Sequence, residues 1–183
     1  MTVLSILICS LPERENQLKR LLKILDEQID KLPVKCVEYL VDCAGRGVMT
    51  TGQKRNDLLA RAKGEYICYV DDDDIVSNDY IQKVLEALES KPDCVGMVGV
   101  LKRPGVEDWT FRHSITVDRW CSDKEKKIYF RTPNHLNPVK RILADTVAFK
   151  NITIGEDHDY STRLKPLLKT EVFIEGIIYF YLK

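Results

Sequence analysis

The sequence predicts an α/β protein of one domain, built on a mostly parallel sheet flanked by helices. Three observations carry this expectation. An apolar, β-rich run at 3–9 is followed by leucines at helical spacing and then by a second apolar run at 34–41. Strand, helix, strand in that order favours parallel pairing through a right-handed crossover. The stretch GEYICYVDDDDIV, 64–76, sets a short apolar strand in front of four aspartates, at the carboxyl end where open α/β sheets bind ligands. At 183 residues the chain is long enough for one domain with a real core and short for two.

Composition narrows the function classes. Hydrophobic content of 44% and charged content of 31% describe an ordinary soluble protein. Lys+Arg and Asp+Glu are both 28, so no global basic field argues for nucleic acid, although a local patch is compatible. MTVLSILICSLPERE has no cationic leader and only a brief apolar run, so neither a signal peptide nor a membrane span is expected, and the expected setting is cytoplasmic. The cysteines at 9, 36, 43, 68, 94 and 121 include no CxxC pair. They read as buried free thiols rather than as zinc ligands.

Taken in order, the elements justify themselves locally. Pro12 suits the start of a helix, with Glu13 and Glu15 in the favourable first turn. Leu18, Leu21, Leu22, Leu25 and Ile29 then recur at helical spacing, giving an amphipathic helix from Glu13 to about Asp30 that Pro33 ends. The second strand finishes at Asp42. A loop punctuated by Gly45 and Gly47 leads into a helix over 51–62, with Leu58, Leu59 and Ala62 facing in. This is not a P-loop: Gln53-Lys54 stands where Gly-Lys-Ser/Thr is required. Lys54 and Arg55, at a helix start beside a glycine loop, either hold phosphate or are ordinary exposed helix residues.

Four adjacent carboxylates, Asp71 to Asp74, repel one another, and the usual remedy is a bound cation. A hard ion such as Mg²⁺ or Mn²⁺ takes oxygen ligands and shares its shell with substrate phosphates. A solvated acidic turn is the alternative. The strand in front and a helix over 77–90, capped by Ser77 with Ile81, Val84, Leu85 and Leu88 on one face, favour the metal–phosphate site. An EF-hand is excluded, because its alternating acids, central glycine and terminal glutamate are missing.

After Pro92, residues 94–101 read as a further strand, and 109–117 and 128–131 as short strands around the charged turn CSDKEKK. The sheet therefore gains antiparallel members in its second half. TPNHLNPVKRI, 132–142, is rich in turn formers; its His135 is structural or a metal or substrate contact, and Pro138 opens a short helix. In VAFKNITIGEDHDYSTRL, 147–164, Gly155 precedes Glu156-Asp157 and a helical segment. An acid there caps the helix or, beside a pocket, takes a proton from an incoming hydroxyl. Residues 172–174 and 177–181 close the chain as two strands.

ICSLPERENQLKRLLKIL, the strand ending in Asp42, GQKRNDLLARAKGEYICYVDDDD and GEDHDYSTRL, in that order, resemble glycosyltransferase family 2. Gly52, Asn56, Ala62 and Gly64 approximate the family's helix-to-strand pattern, and Asp71-Asp72-Asp73 supplies its D-x-D signature. The resemblance covers nearly the whole chain and is weakest over 102–131. It implies a single GT-A-type, Rossmann-like domain, with about 1–101 as the nucleotide-sugar half and about 102–183 as the acceptor and catalytic-base half. It also implies an inverting transferase, dependent on Mn²⁺ or Mg²⁺. Such an enzyme moves a sugar from a nucleoside-diphosphate sugar, a UDP-sugar being favoured, to a hydroxyl of a glycan, lipid, protein or nucleic-acid acceptor.

The matching positions bring roles with them. Asp42 matches the acid that reads a uracil-type base, Asp71 lies near the donor ribose, Asp73 binds the metal, and Asp157 is the general base. Arg14, Lys54, Arg55, Asn56 and Asp72 complete the donor-binding set, with His135 as a second metal candidate. The register of the metal ligand within the four aspartates stays open by one position. The loop CAGRG departs from the Gly-Ser turn common in the family and leaves base preference open. No Q-x-x-R-W motif marks a processive synthase. Two other readings compete: a nucleotidyltransferase, disfavoured because CSLPERE after the first strand is glycine-free, and a non-catalytic nucleotide-sugar or glycan-binding module. The irregular stretch within 102–140 is expected to shape the acceptor side.

Overall fold

The computed structural model describes residues 1–183. β1 (Leu4–Cys9), β2 (Val37–Asp42) and β3 (Tyr66–Tyr69) run parallel, with β1 in the middle. The crossover from β1 to β2 passes through a 3₁₀ turn at Pro12–Arg14 and α1 (Glu15–Ile29), which buries Leu21 and Leu25. α2 (Thr51–Arg61) joins β2 to β3, and Thr50 and Gln53 close a capping box at its start. Parallel register aligns Cys9 with Asp42 and Leu7 with Tyr69. The loops after all three strands therefore open on one edge of the sheet, which gathers residues far apart in sequence.

Beyond the aspartates come β4 (Ile75–Val76), α3 (Tyr80–Leu88) and β5 (Cys94–Arg103). β6 (Val106–His113) returns antiparallel to β5, and β7 (Cys121–Asp123) with β8 (Ile128–Arg131) forms a hairpin whose second strand pairs parallel with β6. β9 (Val139–Lys140) bridges β3 and β5. α4 (Arg141–Ala144) and α5 (Glu156–Leu164) follow, and β10 (Glu171–Leu182) runs parallel to β5 while its far end pairs antiparallel with β4. The result is one mixed, mostly parallel sheet.

Strand periodicity divides the core between the two faces. Leu4, Ile6 and Ile8 of β1, with Tyr66 and Cys68 of β3, pack against α1 and α3. Leu7, Ile67 and Tyr69 point the other way, toward Leu58 and Leu59 of α2, Ala144 of α4, and Tyr160 and Leu164 of α5. No helix is long and apolar enough to cross a membrane.

Four local expectations change. Ser77 does not cap α3: its hydroxyl bonds the Asp79 carboxylate at 2.6 Å, and the helix begins at Tyr80. Pro138 does not open a helix, because the next two residues extend to bridge β3 and β5 and α4 starts at Arg141. The two closing strands are one, bulged at Gly176, whose φ of 87° lets the chain shift register between Phe173 and Ile177. All six cysteines are free, but Cys43 and Cys121 are exposed rather than buried.

Candidate active site

Two cavities adjoin at the carboxyl edge of the sheet. One, about 440 Å³, is lined among others by Ser10, Arg14, Lys54, Asp71, Asp73 and Tyr181. The second, about 340 Å³, is lined by Trp120, Tyr129, Arg131, His135, Asp157 and again Tyr181. Tyr181 is thus a wall common to both.

The four aspartates leave β3 in different directions and meet different partners. Asp72 is buried and accepts hydrogen bonds from Ser10 Oγ at 2.7 Å and from Arg14 at 2.9 Å. Asp74 is also buried; it accepts from the Tyr179 hydroxyl at 2.7 Å and the Leu182 amide at 2.8 Å. Burial, reinforced by the charge of Asp71, pushes Asp74 up to about 8. Asp71 meets Arg55 at 3.4 Å and His135 Nε2 at 3.5 Å. Desolvation opposes its ionisation, but His135 and Arg55 outweigh it and hold the carboxyl well below the usual range. Asp73 is the most open, at 35% exposure, with Arg14 at 3.0 Å. Partial burial and the neighbouring Asp71 and Asp72 charges raise it, against the pull of Arg14. Arg20 closes the turn by donating to the backbone carbonyls of Asp73 and Asp74. Much of the repulsion expected to require a cation is therefore relieved by the protein's own donors.

The donor set also fixes what cation could be held. No three His, Cys, Asp or Glu side chains gather at ligating distance. Asp73 and Asp71 remain as carboxylates facing the cleft. One or two carboxylates suit a magnesium-like ion that completes its shell with water and phosphate oxygens, so the residues fit a shared metal rather than an all-protein cage. His135, the other metal candidate from sequence, is buried with Nε2 at 3.5 Å from Asp71, and its Nδ1 has no partner.

The remaining sequence candidates are used differently. Lys54 and Arg55 are each 4% exposed, so neither is an ordinary surface residue. Lys54 donates to the carbonyls of Ser10 and Ala44, tying the loops after β1 and β2 together. Arg55 donates to Glu156 at 2.8 Å, lies beside the Tyr69 and Phe149 rings, and reaches Asp71. Asn56 spends its amide on the backbone of Phe149 in both directions, at 2.8 and 2.9 Å, and lies off the cleft lining. Asp42 accepts from the Ala44 amide at 2.8 Å, and Arg46 and Gly47 of the loop it shapes line the cleft in its stead. Cys9 in the cleft wall is pushed up to about 12 by burial and is a neutral thiol.

On the other side, Gly155 enters α5 with φ 81°. Glu156 turns inward to Arg55, while Asp157, next in the first turn, faces the second cavity and accepts from the His158 amide at 2.8 Å. The series Asp71–Arg55–Glu156 therefore links the aspartate turn to the helix that carries Asp157. Ser10, Arg46, Tyr179 and Tyr181 were not singled out from sequence. Arg46 had a signal, a basic residue inside a glycine-punctuated loop; the tyrosines had none, since β10 reads as an ordinary apolar strand.

The family model described as glycosyl transferase family 2 matches residues 45–151. No curated protein sequence matches the chain. Among solved structures, residues 1–349 of S. aureus TarS in complex with UDP-GlcNAc superpose with a TM-score of 0.74 at 13% identity, covering 100% of this chain and 59% of that one. A longer S. aureus TarS gives the same score and identity, with 37% of its length covered. The mannosyltransferase PcManGT from Pyrobaculum calidifontis, in complex with GDP-Man and Mn²⁺, gives 0.58 at 13% identity, covering 98% of this chain and 56% of that one. At such identity the likeness shows the fold, and the chain spans under two thirds of each of these proteins. The family model, by contrast, takes in more than half of the chain, including the helix, strand and aspartate turn that build the cleft, and the protein belongs to glycosyltransferase family 2.

Proposed function

We propose that the protein transfers a sugar from a nucleoside-diphosphate sugar to an acceptor hydroxyl, with Asp157 as general base and a divalent cation held by Asp73, with Asp71 beside it. One observation carries this reading: the aspartate cleft and the cavity containing Asp157 share the Tyr181 wall, so a donor in the first and a hydroxyl in the second meet at that boundary. UDP-GlcNAc and GDP-Man in the similar structures support a nucleotide-sugar donor, a uridine one in the more similar fold. Mn²⁺ in the second of them supports a divalent ion.

The step is an in-line displacement. Asp157 takes the hydroxyl proton, the hydroxyl oxygen bonds to the anomeric carbon, and the bond to the diphosphate oxygen breaks with its electron pair leaving on the diphosphate. A cation bound at Asp73 would neutralise that developing charge as a Lewis acid. Arg14, already on Asp72 and Asp73 and facing the cleft, adds fixed positive charge there. Attack from the side opposite the leaving group gives inversion. The β7–β8 hairpin, whose flanks carry Trp120 and Arg131, forms the acceptor side.

The test is thermal stabilisation by UDP- and GDP-sugars with and without Mn²⁺, together with turnover. One donor should stabilise the wild type only with metal, and Asp73→Ala should abolish the shift. Asp157→Asn should keep the shift and lose turnover by roughly 10²–10⁴-fold, the usual worth of a general base. If no nucleotide sugar binds, or Asp73→Ala behaves as wild type, the aspartate turn is structural and the reading fails.

A further inference from the structure

The second cavity holds more positive charge than the proposed reaction needs. Arg103, Arg131 and Lys183 line it, and Asp157, whose charge reaches Arg131 from beyond ion-pair distance, is its one acidic side chain. None of the three cations lies within 4.0 Å of a carboxylate, whereas Lys102 on β5 and Arg112 on β6 pair with Asp108 at 3.8 Å and Glu175 at 3.7 Å. Arg131 is the fixed member. Its Nη1 donates to the Cys121 and Phe130 carbonyls at 2.8 and 2.9 Å, and its guanidinium lies 4.9 Å from the Trp120 ring centre and 4.8 Å from that of Tyr129. The rest of its fork is unspent and half-withdrawn from water. Arg103 and Lys183 stand at the exposed rim. His113, buried alongside, bonds Asn137 at 3.1 Å and is neutral, so it adds no charge.

A rigid guanidinium beside aromatic rings recognises carboxylate or phosphate through two parallel hydrogen bonds, stronger than those to neutral oxygens. Holding it partly desolvated without a counter-ion is costly unless a ligand supplies one. We infer that the acceptor entering this cavity carries an anionic group, phosphate or carboxylate, seated on Arg131 and steered by Arg103 and Lys183, with its attacked hydroxyl toward Asp157. The inference deepens the glycosyl-transfer reading and rests on it.

Glucose, glucuronate and glucose 6-phosphate differ only at carbon six and serve as probes. Trp120 reports occupancy through its indole N–H, which donates to Thr132 Oγ1 at 2.9 Å; Trp109→Phe identifies its resonance in the ¹⁵N-labelled protein. The acidic probes should move that resonance at roughly tenfold or more lower concentration than glucose, as expected of a charge-assisted contact. Arg131→Gln should remove the advantage. Arg103→Gln, at an exposed position that the fold does not depend on, should weaken the acidic probes and leave glucose unchanged. Glucose moving the resonance as readily as the acids, no probe moving it, or Arg103→Gln and Arg131→Gln both matching wild type overturns the inference. UDP with Mn²⁺, read by thermal stabilisation in the same samples, separates the two ideas. A silent Trp120 with nucleotide bound removes the anionic acceptor alone; a responsive Trp120 without nucleotide binding removes the donor reading and leaves the anion site.

Discussion

Arg55 is held by Glu156 and Asp71 between two aromatic rings, with 4% of its side chain exposed. Removing one partner of a buried ion pair leaves the others uncompensated, which costs about 3–5 kcal/mol. Arg55→Met should lower stability by that amount in urea titration, and it should impair turnover because Asp71 and the start of α5 lose a common anchor. A loss within the range of an exposed pair, below about 1 kcal/mol, would show that the triad is not structural. His113 gives a prediction in pH. Burial lowers it from the ordinary 6.5 to about 3, so between those values the unfolded chain binds a proton that the folded chain does not. Stability from this group is complete above pH 6.5 and is lost as pH falls toward 3, at up to about 1.4 kcal/mol per pH unit. His113→Asn, which keeps a donor to Asn137, should flatten the wild-type decline; parallel declines would mean His113 titrates normally. Neither role was legible in the sequence. Arg55 sits next to Lys54 at a helix start, and nothing in spacing reveals a partner 101 residues on.

At the start of α2, Gly52 is where two segments touch. A Cβ there would stand 1.8 Å from the Lys150 carbonyl oxygen, and its own amide donates to Ile152 at 3.1 Å. Gly52→Ala must push the 150–152 segment away, taking Thr153 out of the cleft wall. We expect a loss of about 2 kcal/mol or more from overpacking against backbone and a weaker stabilising shift with nucleotide; a wild-type melting profile would show that the segment is free to move. Gly64 has the same character, with a virtual Cβ 2.6 Å from the Ser5 amide nitrogen. These two glycines were readable from the family's pattern, whereas their cause, close backbone approach, needed the fold. Elements with their own periodicity were equally readable: α1 from its leucines, β3 from its apolar run, α5 from Gly155 and the acids after it. β4 and β9 were not, since each has two residues and is defined by the strand it bridges rather than by its own pattern.

Across the whole molecule, the residues before and after 101 are held by shared pairing rather than by a boundary. β3 pairs with β9, β4 with β10, and β5 with β6, β9 and β10, each crossing residue 101. One core cluster joins Val95 and Met97 to Phe111, Ile174, Ile178 and Tyr179. β10 is the member that sequence order hid. Last in the chain, it lies beside β5 and delivers Tyr179 to Asp74 and Tyr181 to the wall between the cavities. That is why the convergence of Asp73 and Asp157 on one edge could be expected from family resemblance but not from local pattern. If the halves are one cooperative unit, unfolding must be all-or-none whatever probe is used. The protein offers two separable probes. Trp109 and Trp120 both lie beyond residue 101, while α1, α2 and α3, which hold most of the α-helical residues, lie before it and only α4 and α5 after it. Urea unfolding followed by tryptophan fluorescence and by helical circular dichroism should therefore give one midpoint and one slope. A fluorescence transition well below the dichroism transition would show that the part after residue 101 opens first. The strand pairings across residue 101 would then be too weak to hold Asp157 in place against the aspartate cleft.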